Sequence, residues 1–300
     1  LVMPGDILGY VTEEAAKATG LPVGTPVVAT SNDKAVEGLG TGCMGDSTVC
    51  ISLGTYTSAM MEGKENLKGT SYAWPKFSCM PNKYLYDSNG IRRGMWTVSW
   101  YRDILGEGYA KLAKEQGMSP EEALGREAEK VPVGSDGLMT VLNWLANVDA
   151  RYQKGIMIGF DGRHTRGHIY RSILEAVAMT MKRHVTDMCN EVGTTINKLI
   201  ITGGGSNSDL FMQIFADVFD IPIVRNEVNG AAGLGSAICA AVAANVYDSF
   251  ESAVEHMVRI KDTFTPIAEN VEIYEKLLPV YSEITGCTDP ILKKSYEIFD

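Results

Sequence analysis

Between residues 198 and 246 the chain switches repeatedly between two hydrophobic periods, and this constrains the fold more than any other feature. Lys198–Thr202 is an apolar run of strand length, Asp209–Phe219 has helical spacing, 221–224 is strand-like again, and 230–246 is a helical run of small residues. A β-α-β-α order implies right-handed crossovers. The sheet it builds is expected to be mixed, with helices on its faces, an α/β architecture.

The rest of the chain fits around that unit. Over 165–192, Ile169, Ile173, Val177, Met181, Val185, Met188 and Val192 fall on one stripe at spacings of three or four, which predicts a long core-facing helix. Residues 12–19 read as a short helix opened by a capping threonine and stopped by Gly20. A β-branched run at 25–30 predicts a strand that leads through Ser31-Asn32 to Asp33, before a helix over 34–39, so Asp33 is expected at a strand's carboxyl end. Strand-like runs at 48–53 and 56–61, separated by Gly54-Thr55, and a third at 84–87 suggest an antiparallel meander. From Gly94 helical patterns dominate and read as a helical insertion, with a capping box at Ser119-Pro120-Glu121-Glu122. After Ser249 the pattern predicts further amphipathic helices with polar connections.

Charge and cysteine usage narrow the function classes. With 27 basic and 37 acidic residues the formal charge is −10, which disfavours nonspecific binding to nucleic acid or an acidic membrane. A small anionic ligand must then be held by local dipoles. The six cysteines, Cys43, Cys50, Cys79, Cys189, Cys239 and Cys287, never occur as CxxC, and several lie in apolar stretches where buried thiols are common. No leader pattern or run of membrane-spanning length is present in the sequence given, so a soluble protein of the reducing cytoplasm is expected. The opening Leu1-Val2-Met3-Pro4-Gly5-Asp6 reads as the interior of a larger domain.

Three motifs carry candidate chemistry. Gly203-Gly204-Gly205-Ser206-Asn207-Ser208 follows a strand and opens a helix, where glycines allow close backbone approach and helix-terminal amides receive polar ligand groups. A plain strand-to-helix turn needs only one glycine. The segment is not the dinucleotide fingerprint, because position 208 is serine. Gly40-Thr41-Gly42-Cys43-Met44-Gly45 matches that fingerprint better, but a helix precedes it and a strand follows, the reverse of what its mechanism requires. A dehydrogenase is therefore disfavoured. Gly54-Thr55 sits at a tight turn where amides and a hydroxyl could converge on phosphate oxygens, although in isolation an ordinary hairpin is the simpler reading. Asp33 alone could merely cap the helix that follows it. His164 and His168 stand four apart without a third ligand nearby in sequence, and Gly167 argues against a firm helix through both, so no metal residues are assigned. Trp96, Trp100 and Tyr101, at helical spacing, read as core rather than a stacking platform.

Taken in order, Gly20-Leu21-Pro22-Val23-Gly24-Thr25-Pro26-Val27-Val28, Asp33 and Gly38-Leu39-Gly40 resemble the closing stretch of the amino-terminal domain of FGGY carbohydrate kinases. Ser52-Leu53-Gly54-Thr55 is similar to the family's second phosphate motif, and Thr202 to Ser208 with Ala216-Asp217 to its adenosine motif. The run from Arg171 to Ala178 resembles its connecting helix, and that from Gly230 to Ala237 the segment after the adenosine motif.

The resemblance implies an actin-like, ribonuclease H-like ATPase fold, with 1–46 the remnant of the amino-terminal domain and 47–300 the carboxyl-terminal ATP-binding domain. It implies ATP with Mg²⁺ and transfer of phosphate to a hydroxyl of a sugar, polyol or sugar acid. Carried over, Asp33 is the general base, Gly54 and Thr55 face the β- and γ-phosphates with Gly94 a further phosphate contact, and Gly204, Gly205 and Asn207 lie against adenosine. The strands with the first phosphate motif, most sugar contacts and the main Mg²⁺-binding aspartate belong upstream, so this piece alone is expected to be inactive. Departures from the family pattern are Asn32 before the aspartate, where glycine is frequent, and Lys34 after it. A homodimer is left open. The alternative is a non-catalytic, nucleotide-dependent interaction module on the same fold, which needs no base for a hydroxyl acceptor.

Overall fold

A computed structural model describes residues 2–299. In chain order the elements are β1 (Ile7–Tyr10), α1 (Glu13–Thr19), β2 (Pro26–Val28), α2 (Asp33–Thr41), β3 (Thr48–Leu53), β4 (Thr57–Gly63), β5 (Ala73–Phe77) and β6 (Tyr84–Ser88). The helices α3 (Gly94–Ile104), α4 (Gly106–Glu115) and α5 (Pro120–Ala128) follow, then β7 (Met139–Val141), β8 (Ile156–Ile158) and α6 (Arg166–Val192). The last part comprises β9 (Lys198–Thr202), α7 (Asp209–Phe219), β10 (Ile223–Asn226), α8 (Ala231–Ala243), α9 (Phe250–Met257), β11 (Ile260–Phe264) and α10 (Ala268–Phe299).

Seven strands form the central sheet in the order β11-β10-β9-β3-β4-β6-β5. β3, β9 and β10 run parallel, β9 and β10 being joined by α7 in a β-α-β crossover, whereas β4, β6, β5 and β11 pair antiparallel with their neighbours. The sheet is therefore mixed, as its sequence order predicts. Two of its strands escape sequence reading, and both lie at edges. β5 contains Pro75, whose missing N–H is tolerated on an outer strand, and β11 is mostly exposed. Two further expectations are corrected. The strand after Gly24 covers only Pro26–Val28 and pairs with β1 in a separate ribbon, and the expected helices after α9 are one 32-residue helix that passes Pro279 and Pro290.

One face of the sheet is covered by α6. Ile173, Val177, Met181, Val185 and Met188 are all buried, each contributing about 1.5–3 kcal/mol relative to exposure. Beneath them a buried charge cluster fixes the helix to its surroundings. Glu175, 1% exposed, accepts from Arg171 Nε, Tyr274 Oη, Ser135 Oγ and the Gly134 amide, at 2.8–2.9 Å. With four donors satisfied, the desolvated carboxylate is compensated.

The other face carries α2 and α8, which pack on a smaller core of Val36, Leu39, Cys50, Met60, Leu85 and Ile238. Their backbones touch. A Cβ on Gly40 would lie 1.8 Å from Ala231 O, and one on Gly235 would lie 2.0 Å from Val36 O. Gly40 thus serves helix contact, which gives the apparent dinucleotide fingerprint a structural cause.

Candidate active site

Asn32 caps α2, its side chain accepting from Ala35 N at 3.1 Å, so Asp33 is the first helical residue rather than the cap. The Asp33 carboxylate is exposed and accepts only from the neighbouring Lys34 N, at 2.8 Å, among the described residues. It borders a cavity of about 420 Å³ between the start of α2, the β3–β4 hairpin and the first turn of α8. The cavity's floor is charged and tied together. Lys34 Nζ donates to Ser58 Oγ at 3.2 Å and lies 3.9 Å from Glu37 Oε2, while Ser52 Oγ donates to Glu37 Oε1 at 2.7 Å. Ser52 and Ser58 are register partners on β3 and β4, so the hairpin holds this network at fixed spacing.

The hairpin loop has three residues rather than two, because Leu53 pairs with Thr57 and leaves Gly54, Thr55 and Tyr56 outside the ladder. Thr55 and Tyr56 are exposed, and Tyr56 lines the Asp33 cavity. Gly54 O accepts from Met95 N at 3.2 Å. Gly94, which opens α3, is buried against β4, where a Cβ would sit 2.2 Å from Thr57 Oγ1. That contact accounts for glycine at this position.

Met95 belongs to the wall of a second cavity, of about 710 Å³. On one side are Gly204, Gly205 and Asn207, in a short 3₁₀ turn after β9. Opposite stand Ser119, Glu122 and Arg126, so the helical insertion supplies a wall of its own. The capping box is formed, with Ser119 Oγ accepting from Glu122 N and Glu122 Oε2 from Ser119 N, and these bonds hold the Glu122 carboxyl below its usual range. Gly203 has φ +87° and a Cβ there would meet Leu53 O at 2.7 Å, which presses the glycine turn onto the end of β3.

The loop at 54–56 therefore reaches both cavities, one through Tyr56 and the other through the Gly54–Met95 bond. Asn229 spans them as well, bordering the Asp33 cavity while its Nδ2 donates to Asn207 Oδ1 at 3.1 Å. Arg225 secures the turn from beneath. Its guanidinium donates to Ser206 O at 2.8 Å and is anchored by Asp209 and Asp262. Sequence reading missed Glu37, Ser58, Arg225 and Asn229, and placed Ser52 only as the first residue of the Ser52–Thr55 motif. The available signal was the Lys34/Glu37 spacing on one helix and the serines flanking Gly54-Thr55.

Other motif residues have structural roles. Asp217 is buried and accepts from Gln213 Nε2, Ile267 N and Asn270 Nδ2, which fastens the start of α10 to α7. α6 begins at Arg166, so His168 is helical and His164 lies outside the helix, and Gly167 packs closely, a Cβ there lying 2.8 Å from Glu127 O. His168 Nδ1 bonds Thr165 and its Nε2 lies 3.2 Å from Asp136. Tyr101 is core, Trp100 packs on Trp144, and Trp96 lies under Arg93. Among the described residues no helix is long and apolar enough to cross a membrane.

A parallel β3-β9-β10 unit extended by antiparallel β4, β6 and β5 in that spatial order, with one cavity lined by the β3–β4 loop and a second by the Gly204–Asn207 turn, defines a class. Residues 49–244 match the FGGY family of carbohydrate kinases, C-terminal domain, and the chain belongs to that family. It is 52% identical over 297 residues to the uncharacterized sugar kinase YgcE of Escherichia coli K12, covering 99% of this chain and 60% of that protein. With the xylulose kinase of Bacillus subtilis 168 the identity is 26% over 291 residues, covering 95% of this chain and 55% of the relative. The crystal structure of xylulose kinase from Rhodospirillum rubrum superimposes with a TM-score of 0.80 at 27% identity, over 97% of this chain and 57% of that one. The fold is thus the actin-like one of these kinases. The chain spans 55–60% of the length of these curated relatives.

Proposed function

We propose that this chain forms the nucleotide-binding side of a kinase that transfers the γ-phosphoryl group of ATP to a hydroxyl of a sugar, polyol or sugar acid. The observation that carries this reading is the loop at 54–56, which lines the Asp33 cavity through Tyr56 and is hydrogen-bonded through Gly54 to Met95 in the wall of the Gly204–Asn207 cavity. In this reading 1–46 closes an amino-terminal domain and 47–300 is the ATP-binding domain.

The larger cavity suits a nucleoside. Met95, Val98, Leu174 and Phe211 give it apolar surface, and nothing lies within 4 Å of the Cβ position of Gly204, so a ligand can approach the backbone. Bound there, ATP with Mg²⁺ supplies the phosphoryl group. The Gly54 and Thr55 amides and the Thr55 hydroxyl hold phosphate oxygens, and Asp33 takes the proton of the acceptor hydroxyl as it attacks. Lys34, pinned by Ser58 and Glu37, keeps a positive charge beside that base. The main Mg²⁺ carboxylate and most sugar contacts are assigned to the upstream domain.

The test uses the protein extended by that domain, assayed with ATP and Mg²⁺ on a panel of sugars, polyols and sugar acids. Phosphorylation of one class is expected, and silence across the panel overturns the reading. Asp33→Ala should lower kcat by about 10²–10⁴-fold with nucleotide affinity retained. Unchanged turnover removes Asp33 from the mechanism. A non-catalytic nucleotide-binding module would bind ATP yet give no product with any acceptor.

A further inference from the structure

The polar site leaves unused a pair of thiols in the smaller core that α2 and α8 share. Cys79, in the turn between β5 and β6, and Cys239, on α8, have their sulfurs 3.4 Å apart although 160 residues separate them in sequence. Neither has any exposed surface. Their neighbours in the same core are engaged differently. Cys43 Sγ donates to Met60 O and Thr48 O, and Cys50 is paired with Thr41. Cys79 and Cys239 are thus the two thiols whose sulfurs face each other among the described residues.

The two thiols share one hydrogen bond in which either sulfur can be the donor, so either can give up its proton and become the nucleophile. A cavity of about 410 Å³ lined by Ser31, Ser78 and Met80 reaches the residues on both sides of Cys79. A small oxidant therefore has only the thickness of this turn to cross.

We propose that Cys79 and Cys239 are an oxidation site, joined into an intramolecular disulfide by a hydroperoxide. One thiol of the pair loses its proton, its thiolate attacks one peroxide oxygen and the O–O bond breaks, and the departing hydroxide takes up that proton, giving a sulfenic acid and a first water. The other sulfur then attacks the sulfenic sulfur and expels hydroxide, which takes that second thiol's proton as a second water. The two thiols lose two electrons and the peroxide gains them. Closing the gap from 3.4 Å to about 2 Å draws the β5–β6 turn toward α8. Both elements border the catalytic region, since Cys79 packs on the Ser31 backbone and the first turn of α8 lines the Asp33 cavity.

The folded 300-residue chain, reduced and then treated with stoichiometric hydrogen peroxide, is quenched, alkylated in denaturant and mapped by mass spectrometry. A peptide linking Cys79 to Cys239, split by dithiothreitol, is expected, with Cys43 and Cys50 recovered as alkylated thiols. Recovery of Cys79 and Cys239 as alkylated thiols, or as sulfonates without a link, overturns the proposal. Cys287, which is exposed, supplies the control. Cys287→Ser, which leaves the core untouched, should give the same yield of the link. Loss of the link in that variant would mean that it arose by exchange through Cys287, and would overturn the proposal too. In Cys239→Ser the link should vanish, and its persistence between Cys79 and another cysteine would count equally against it.

Discussion

Two glycine-bearing regions of this molecule use the same residue for opposite ends. Where α2 meets α8, Gly40 and Gly235 lack side chains because another backbone occupies the space, at hypothetical Cβ distances of 1.8 and 2.0 Å. In the turn after β9, Gly204 lacks a side chain with nothing within 4 Å of that position. The first pair is filled by protein and serves packing; the second is vacant of protein and suits a ligand. Glycine in a sequence states only that a side chain is absent, and the neighbours decide what takes its place.

Substitution separates the two uses, and the largest effect is expected at the helix contact. Gly40→Ala or Gly235→Ala must push α2 from α8, and a loss of about 3 kcal/mol in folding stability is expected by chemical denaturation. A wild-type midpoint would mean that the helices do not touch. Gly203→Ala stands between the cases, since it combines a positive φ with a close approach to Leu53 O. A loss of about 2 kcal/mol is expected there, read by the same unfolding curve. Gly204→Ala should leave stability within about 0.5 kcal/mol of wild type and still weaken ATP binding about tenfold by calorimetry, a change of about 1.4 kcal/mol. Unaltered affinity would remove the turn from the nucleotide site and break the contrast. The smallest effect is expected on the facing wall, where Ser119→Ala uncaps α5 at a cost of about 1 kcal/mol. Thermal unfolding checks it.

Legibility from sequence followed the range of the interactions. The α6 stripe, the β9-α7-β10 unit, the Ser119 capping box and the αL stop at Gly20 depend on neighbours a few residues away, and each lies within a residue or two of its expected place. β5 and β11 were hidden because an edge strand buries little and carries no clear alternation. Of the candidate site, Asp33, Gly54, Thr55, Gly204, Gly205 and Asn207 were visible as motifs. Arg225 was not, because a lone arginine at a strand end gives no sign that it grips a carbonyl nineteen residues earlier.

The amino-acid sequence by itself determined the elements and the residue types at the turns, since periodicity, capping and backbone freedom are local properties. It also determined the acidic balance that leaves anion binding to amides and helix ends. Only the tertiary structure decided the strand order, the bridging position of the loop at 54–56, the wall that α5 gives to the glycine turn and the meeting of Cys79 with Cys239. Each of these joins segments tens to hundreds of residues apart, and such contacts are set by the packing of whole surfaces rather than by any one segment's preference.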